Sequence, residues 1–284
     1  MEKLCDLHTH STYSDGTLSP EQLLAEAQRV GLSAVALCDH NTVAGLPSFL
    51  KAAENSPVEA VPGAEFSTDY QGTELHILGL FLRPEYYGTI TEMMDDAHQR
   101  KERSNRELVD ALCRAGYALD YEQIKSQSPS GFINRAHIAA ELTRLGYTAD
   151  RKDAFSRLLS PKCGFYHPPE RIDAFEMIRT IKDMGAAAVL AHPFLSLKEE
   201  KPLRQFLAQA KAVGLDGMEV RYSTFDEEQT QLAEELVREY GLLPSGGSDF
   251  HGQNKPDIQL GKGKGGLKVP LSFLDGLKTR VSMA

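Results

Sequence analysis

Cysteine is scarce in this chain. Four thiols (Cys5, Cys38, Cys113, Cys163) are scattered over 284 residues, and none forms a C-x-x-C pair. That is too few, too irregularly spaced, for a disulfide scaffold, so buried free thiols in a reducing compartment are expected. Long apolar runs are missing too: none approaches the ~18 residues that would span a bilayer. The opening MEKLCDLHTHS has neither the apolar stretch nor the small-residue cleavage site of a secretory signal. A cytoplasmic protein with no membrane partner is the expectation. Positive charge is also in deficit, with 31 Lys and Arg against 40 Asp and Glu, for a net charge of −9. This excludes a protein that coats long nucleic acid, which needs a broad basic surface, but not one that binds a small phosphorylated ligand. There is no internal repeat and no low-complexity tract. What is present is a 41% share of hydrophobic residues, enough for a sizeable core and against wholesale disorder. The length suits a single barrel.

Short aliphatic runs alternate with helical patterns, the form that repeated βα units take in sequence. Strands are expected at Leu4–Leu7, Ser33–Leu37, Val58–Val61, Glu74–Phe81, Ala186–Leu190, Gly217–Val220 and Leu242–Pro244. A first helix should begin at Ser19-Pro20-Glu21, with Ser19 as cap and Pro20 in the first turn, and close at Gly31. The strand ends are more informative than the strand count. They lead into Asp6-Leu7-His8-Thr9-His10, Asp39-His40-Asn41, Gly63-Ala64-Glu65, Ala191-His192-Pro193 and Ser248-Asp249-Phe250-His251, and the fourth strand carries His76. Metal-competent groups recurring at successive strand ends are the arrangement of a barrel with a site on its C-terminal face.

Residues 91–165 interrupt the alternation with helical patterns only, at Met93–Ala115, Tyr121–Ser126, Asn134–Leu145 and Ala149–Leu159. They read as an all-helical insertion, a lid, within a barrel formed by residues 1–90 and 166–284. Residues 96–165 hold 12 Lys and Arg against nine Asp and Glu, whereas the rest holds 19 against 31, a balance of −12. A mildly basic insertion in an acidic barrel suits an anionic substrate; ordinary solvated helix faces give the same pattern.

His8-Thr9-His10 places two imidazoles on one face of a strand, able to reach one point. Imidazole is the commonest metal ligand, and a pair so placed is half of a coordination shell. One H-x-H is weak evidence alone, and a single histidine such as His98 reads as a surface residue. Here, however, six of the nine histidines and three carboxylates stand at expected strand ends.

His8-Thr9-His10, Asp15-Gly16, Asp39-His40, Gly63-Ala64-Glu65, His76, Ala191-His192-Pro193 and Gly247-Ser248-Asp249-Phe250-His251, in this order, resemble the motifs of the PHP (polymerase and histidinol phosphatase) family. The resemblance runs from residue 4 to about 252. The insertion, through Asn134-Arg135-Ala136-His137 and Lys162-Cys163-Gly164-Phe165-Tyr166, is similar to that of the small nucleotide-phosphoesterase branch. The family implies an α/β fold, a distorted seven-stranded (β/α) barrel, holding two or three divalent ions. Carried over by position, His8, His10, Glu65 and Asp249 would hold one; Glu65, His76 and His192 a second; and Asp15, His40 and His251 a third. Such a mixed nitrogen and oxygen set without thiolate suits Mn, Fe or Zn. Asn41 departs from relatives that carry Asp there, which puts the third site in question. Asp39 is expected to orient a ligand imidazole.

Clustered divalent ions suit phosphoester hydrolysis because they share and acidify a hydroxide and clamp the phosphoryl oxygens. The nucleophile is therefore expected to be metal-held hydroxide, with no protein base assigned and the general acid open. Arg135, also expected to act catalytically, and His137 and Lys162 would bind substrate phosphate at a helix start, or else lie incidentally on the helix surface. Arg221, past the sixth strand, could reach the pocket or pair with a neighbouring carboxylate. Gly261-Lys262-Gly263-Lys264-Gly265-Gly266 lacks the Walker spacing and reads as a flexible surface loop. Cys38 has no evident base partner, His167 reads as a loop residue, and Tyr166 either stacks on a base or packs in a core.

The expected activity is hydrolysis of a phosphate ester of a small nucleotide. Relatives suggest the 3′-phosphate of a 3′,5′-bisphosphonucleotide or the 5′ end of short oligonucleotides. The alternatives are another phosphomonoester, such as histidinol phosphate, and, in a different class, amidohydrolase-type C–N hydrolysis, which would not need the third ligand set.

Overall fold

The computed structural model describes residues 3–126 and 133–281. It divides into two compact units: the chain up to Thr91 together with Ile172 onward, and Glu92–Arg171.

The first unit is a nearly closed, barrel-like sheet with helices. In chain order it contains β1 (Leu4–Thr9), α1 (Pro20–Val30), β2 (Ala34–Leu37), α2 (Leu46–Ala53), β3 (Glu59–Tyr70) and β4 (Thr73–Leu80). The long α3 (Tyr87–Arg114) leads out of it into α4 (Tyr121–Ser126), α5 (Arg135–Arg144) and α6 (Arg151–Ala154) of the second unit. After Arg171 come β5 (Ile172–Asp173), α7 (Ala174–Asp183), β6 (Ala187–Leu190), α8 (Pro193–Ser196), α9 (Glu200–Ala212), β7 (Gly217–Tyr222), α10 (Glu227–Glu239), β8 (Leu243–Gly247), β9 (Val269–Pro270) and α11 (Leu271–Lys278). The strand order is β8-β7-β6-β4-β3-β2-β1-β9, with β5 on β3. Seven strands match those expected from the sequence; the two extra ones are two-residue pairings. The open seam is narrowed where the His10 N–H donates to Phe250 O at 2.9 Å and the Asp249 N–H to His8 O at 2.8 Å.

The helix starts follow local chemistry. At α1 the Ser19 hydroxyl accepts from the Gln22 N–H while the Gln22 side chain accepts from the Ser19 N–H, a reciprocal cap ahead of Pro20. Leu23, Leu24 and Ala27 form its buried stripe.

Two strands differ from expectation. β3 runs nine residues beyond Val61, to Tyr70, and β4 is antiparallel to both β3 and β6. The extension is half-buried: Phe66, Thr68 and Tyr70 are buried, while Ser67 and Asp69 between them are partly exposed. A run so mixed lacks the continuous apolar signature of a parallel strand. Gln71 and Gly72, with φ of 53° and 81°, make the two-residue turn into β4. This hairpin distorts the barrel and sets His76 opposite Ser67, two residues from Glu65.

On β1, Cys5 and Leu7 enter an apolar cluster with Ala36, Val61, Val189 and Leu274. His8 and His10 take the alternate phase. The second unit packs its own core from Leu108, Leu112, Ile138, Leu142, Leu158 and Tyr166. Among the described residues no helix is long and apolar enough to cross a membrane.

Candidate metal centre

Nine side chains named from the sequence converge at one end of the barrel. His8 and His10 come from β1, Glu65 from β3 and His76 from β4; Asp15, His40, His192, Asp249 and His251 lie on segments that follow β1, β2, β6 and β8. Glu65 is fully buried and central. Its Oε1 lies 2.7 Å from His76 Nδ1 and 2.9 Å from His192 Nε2, and its Oε2 lies 3.2 Å from the Nε2 atoms of His8 and His10 and 3.1 Å from His40 Nδ1. Asp249 Oδ1 stands 3.2 Å from His10 Nε2 and 3.3 Å from His251 Nδ1, and Asp15 Oδ1 3.1 Å from His251 Nε2.

Four groups have donor atoms within 4.8 Å of one another: His10, Asp15, His40 and His251; His8, His10 and Asp249; His8, Glu65 and His192; His40, Glu65 and His76. The structure thus brings together all nine residues, with His10 reaching the Asp15 group and His40 sharing Glu65 with His76. His8 Nε2, both ring nitrogens of His10 and Glu65 Oε2 are buried with no hydrogen-bond partner. Orphaned polar atoms at such depth cost free energy unless something fills the gap. A divalent cation fits, because imidazole nitrogen and carboxylate oxygen without thiolate is its ordinary donor set.

Electrostatics point the same way. Burial presses the imidazolium forms of His8, His10 and His76 down, but the facing carboxylates outweigh it. Glu65 and Glu219 hold His8 well above its ordinary value, Asp249 and Glu65 hold His10 at about 9, and Glu65 holds His76 at about 10. His40, where burial wins over the pull of Glu65, falls to about 3. Burial would raise the carboxyls of Glu65, Asp249 and Asp15, yet the surrounding histidines keep all three well below the usual range. The carboxylates are thereby balanced by protons on crowded rings, the centroids of His8 and His10 lying 5.1 Å apart.

The backbone is bent to serve this site. His192 and Asp249 have φ of 27° and 56°, left-handed values that non-glycine residues adopt at a cost. Gly247, at the end of β8, lies flat on β1: a Cβ there would stand 2.5 Å from His8 N and 2.8 Å from its Cα, and would overlap the His8 Cβ. Only glycine permits that approach.

One functional residue was missed in sequence. Glu219 on β7 is fully buried, lies 3.0 Å from His8 Nδ1 through Oε1 and accepts the His192 N–H at 2.6 Å through Oε2. It fixes the ring of one candidate ligand and the backbone of another. Its only signal was a lone acid inside the apolar run Gly-Met-Glu-Val. Tyr222, also on β7, donates its hydroxyl to Asp249 Oδ2 at 2.6 Å, and the Lys255 ammonium donates to the same oxygen at 2.7 Å. Buried Asp6 accepts from the N–H groups of Ser248 and Gly261, each at 2.8 Å, and burial lifts its carboxyl to about 6.

The other residues singled out in the sequence have their own partners. Asp39 holds no imagined imidazole but the turn after β1, accepting from Ser11 N, Ser11 Oγ and Ser14 Oγ at 2.6–2.7 Å. Asn41, with φ of 53°, spends its amide on Ser67, accepting its N–H at 2.9 Å and donating to its hydroxyl at 3.2 Å. Arg221 pairs with Glu234 of α10 at 2.5 Å. The reason is a bulge between Glu219 and Arg221: an extra residue reverses the alternation, so Glu219 and Arg221 do not share a face. Cys38 is buried, and burial raises its thiol pKa, which does not make a nucleophile.

In the second unit, Arg135 stacks its guanidinium 4.3 Å from the Tyr166 ring centroid and donates to Leu159 O at 3.3 Å. His137 closes a reciprocal cap with Asn134, its Nδ1 accepting the Asn134 N–H at 3.1 Å. Lys162 is exposed, Tyr166 belongs to that unit's core, and the carbonyl of His167 accepts from Ser104.

The PHP domain family profile matches residues 6–161. The chain is 34% identical over 251 residues to a 5′-3′ exoribonuclease of Haemophilus influenzae, covering 88% of this chain and 91% of that one. It is 30% identical over 252 residues to a phosphoribosyl 1,2-cyclic phosphate 1,2-diphosphodiesterase of Eggerthella lenta, covering 87% and 94%. Against a 3′,5′-nucleoside bisphosphate phosphatase of Chromobacterium violaceum the identity is 27% over 258 residues, 90% of each chain. Among solved structures, a Bifidobacterium adolescentis protein assigned provisionally as a metal-dependent phosphoesterase superposes with a TM-score of 0.80 at 27% identity, covering 99% of this chain and 97% of that one.

Proposed function

Since the chain belongs to the PHP family of metal-dependent phosphoester hydrolases, we propose that its substrate is a small phosphorylated nucleotide. The scissile ester is the 3′-phosphate of a 3′,5′-bisphosphonucleotide or the 5′-terminal phosphodiester of a short oligonucleotide. The observation that carries this reading is the convergence of nine donors around buried, unpartnered nitrogen and oxygen atoms. The relatives that act on ribonucleotide and phosphoribosyl esters support the substrate class.

The residues divide the work. His8, His10, Glu65 and Asp249, with His76 and His192, would hold two divalent ions (Mn, Fe or Zn); Asp15, His40 and His251 would hold a third. Bound there, such ions acidify water and neutralise charge on the phosphoryl group. Glu65 presents both oxygens to different histidines and so fixes the spacing of the groups around it. Glu219 holds His8 Nδ1, leaving Nε2 directed at the cluster. Arg135 and Lys162 would supply further cations to the substrate's phosphates, neither having a carboxylate partner among the described residues; Arg221, paired with Glu234, would not. The separate Asp15 group favours phosphoester over C–N hydrolysis, which has no need of it.

The test is turnover with Mn²⁺, Fe²⁺ or Zn²⁺ on adenosine 3′,5′-bisphosphate, a 5′-phosphorylated oligoribonucleotide, histidinol phosphate, p-nitrophenyl phosphate and an amide panel. Nucleotide hydrolysis that exceeds the others in kcat/KM is expected. Amide turnover without phosphatase activity would overturn the reading. Arg135→Ala should depress turnover of the bisphosphate more than that of p-nitrophenyl phosphate; equal losses would remove Arg135 from substrate binding.

A further inference from the structure

The glycine-lysine run at 261–266 reads in sequence as a flexible loop, but it is folded against the barrel. The Gly261 N–H donates to buried Asp6 at 2.8 Å, and Gln259 and Gly263 exchange backbone hydrogen bonds at 2.8 Å. Gly263 is buried with φ of 55°, and a Cβ there would lie 2.7 Å from the Ser223 hydroxyl. The run is therefore pinned at both its first and third residues, and the lysine that follows has a defined place.

That place is the wall of a cavity of about 300 Å³ beside the metal centre. Its inner end is Asp249, whose Oδ1 faces the histidines and whose Oδ2 is held by Tyr222 and Lys255. Its sides carry the hydroxyl residues Ser223 and Thr224 and the apolar Leu195 and Ile258, and Lys264 completes the lining. Leu195, at 49% exposure, is among the few large apolar side chains left open to solvent. Lys255 is committed to Asp249, whereas Lys264 has no carboxylate partner among the described residues. A pocket with apolar sides, a few hydroxyls and one uncommitted cation has the lining that recognises a sugar phosphate. Asp257, also in the lining, offers an acceptor for a sugar hydroxyl.

We propose that this cavity is a subsite for the phosphorylated ribose of the nucleotide, and that Lys264 takes the phosphate that is not being cleaved. The subsite rests on the nucleotide-phosphoesterase reading but not on the role of Arg135. A substrate with two phosphates then places one at the metal ligands and the other at Lys264, and the cavity beside Asp249 defines which ester faces the metals. The glycine-lysine run thereby contributes to anion binding through a lysine side chain carried on a pinned backbone instead of through the cradle of backbone N–H groups that a Walker loop uses.

Two measurements test this. In the metal-loaded enzyme, the ratio of kcat/KM for adenosine 3′,5′-bisphosphate to that for p-nitrophenyl phosphate should fall about tenfold in Lys264→Ala, mostly through KM, and recover in Lys264→Arg. Lys262→Ala, two residues away and outside the lining, should stay within about twofold of the parent ratio. An unmoved ratio in Lys264→Ala, or an equal fall in Lys262→Ala, would overturn the assignment. In the metal-free protein, which separates binding from turnover, calorimetry should give a several-fold weaker Kd for the same bisphosphate in Lys264→Ala. Equal Kd values would refute the subsite. A parent enzyme that binds the bisphosphate in this Lys264-dependent way yet cleaves no nucleotide would leave the subsite standing and bring down the functional reading alone.

Discussion

Glu219→Gln isolates one carboxylate behind the metal ligands without changing its size. Both oxygens of Glu219 are acceptors now, one facing His8 Nδ1 at 3.0 Å and the other the His192 N–H at 2.6 Å. An amide has one oxygen. If that oxygen keeps the His192 N–H, the new NH₂ faces His8 Nδ1 and forces the ring proton onto Nε2, the atom that points at the cluster. If the amide turns over, two donors oppose each other at His192 in a fully buried position. Either way the loss is that of a buried hydrogen bond to a charged acceptor, about 1.5–3 kcal/mol. Because the first arrangement directly blocks a ligand nitrogen, most of the cost should appear in metal affinity, as a weakening of about 10–100-fold. The assay is competition against a chelator of known affinity at neutral pH, with circular dichroism to establish that the variant folds. A dissociation constant within about twofold of the parent would refute the role assigned to Glu219. So would an equal loss for Arg221→Ala, whose side chain is turned toward α10.

Three further outcomes rest on the same geometry. Metal binding should release protons and strengthen as pH rises from about 7 to 10, since His10 and His76 carry protons with pKa values of about 9 and 10 in the metal-free cluster. Calorimetry in buffers of different ionisation enthalpy reads this, and proton-independent binding would contradict it. The sign reverses for the metal-free fold: these raised values contribute stability fully present below about pH 6.5 and lost as pH climbs through 9 and 10, so its Tm should drop over that range. Gly247→Ala should destabilise by about 1–3 kcal/mol, because the added methyl collides with His8 backbone atoms. Thermal melting would show a fall of several degrees, and a Tm within about one degree of the parent would mean that β1 and β8 can separate at no cost.

How much of this was legible in the sequence varies with the kind of signal. His8 and His10 were readable because a two-residue spacing on a strand is itself a geometric statement. His192 was readable because it closes a short aliphatic run, and Asp249 and His251 because they recur, like the other ligands, just beyond an expected strand. The hairpin of β3 and β4 was not, since Ser67, Thr68 and Asp69 break the apolar run while pairing takes place on their backbone. Of the two readings open for Arg221, pocket or carboxylate partner, composition could not choose, because a bulge has no mark in it: Glu219 and Arg221 are two apart, and the inserted residue cancels the alternation that would have aligned them. The glycine-lysine run was judged by its glycines, whereas its order comes from Asp6, some 255 positions away. Pairings over such separations are invisible to any local window. Asp39, expected to orient an imidazole, instead serves the turn after β1, whose Ser11 and Ser14 lie 28 and 25 positions before it.

Asp6 ties the first strand to Ser248 and Gly261, across 242 and 255 positions of chain. The ligands divide in the same way, His8 and His10 near one end and Asp249 and His251 near the other. During synthesis, then, a nascent chain displays its first two imidazoles long before the carboxylate that completes their group has been made. Until β8 and the segment after it have docked beside β1, the chain has metal-seeking histidines but no finished binding site. The imidazoles of β1 therefore join their carboxylate partner only when β8 docks beside β1, and Asp6 ties together the segments that carry them.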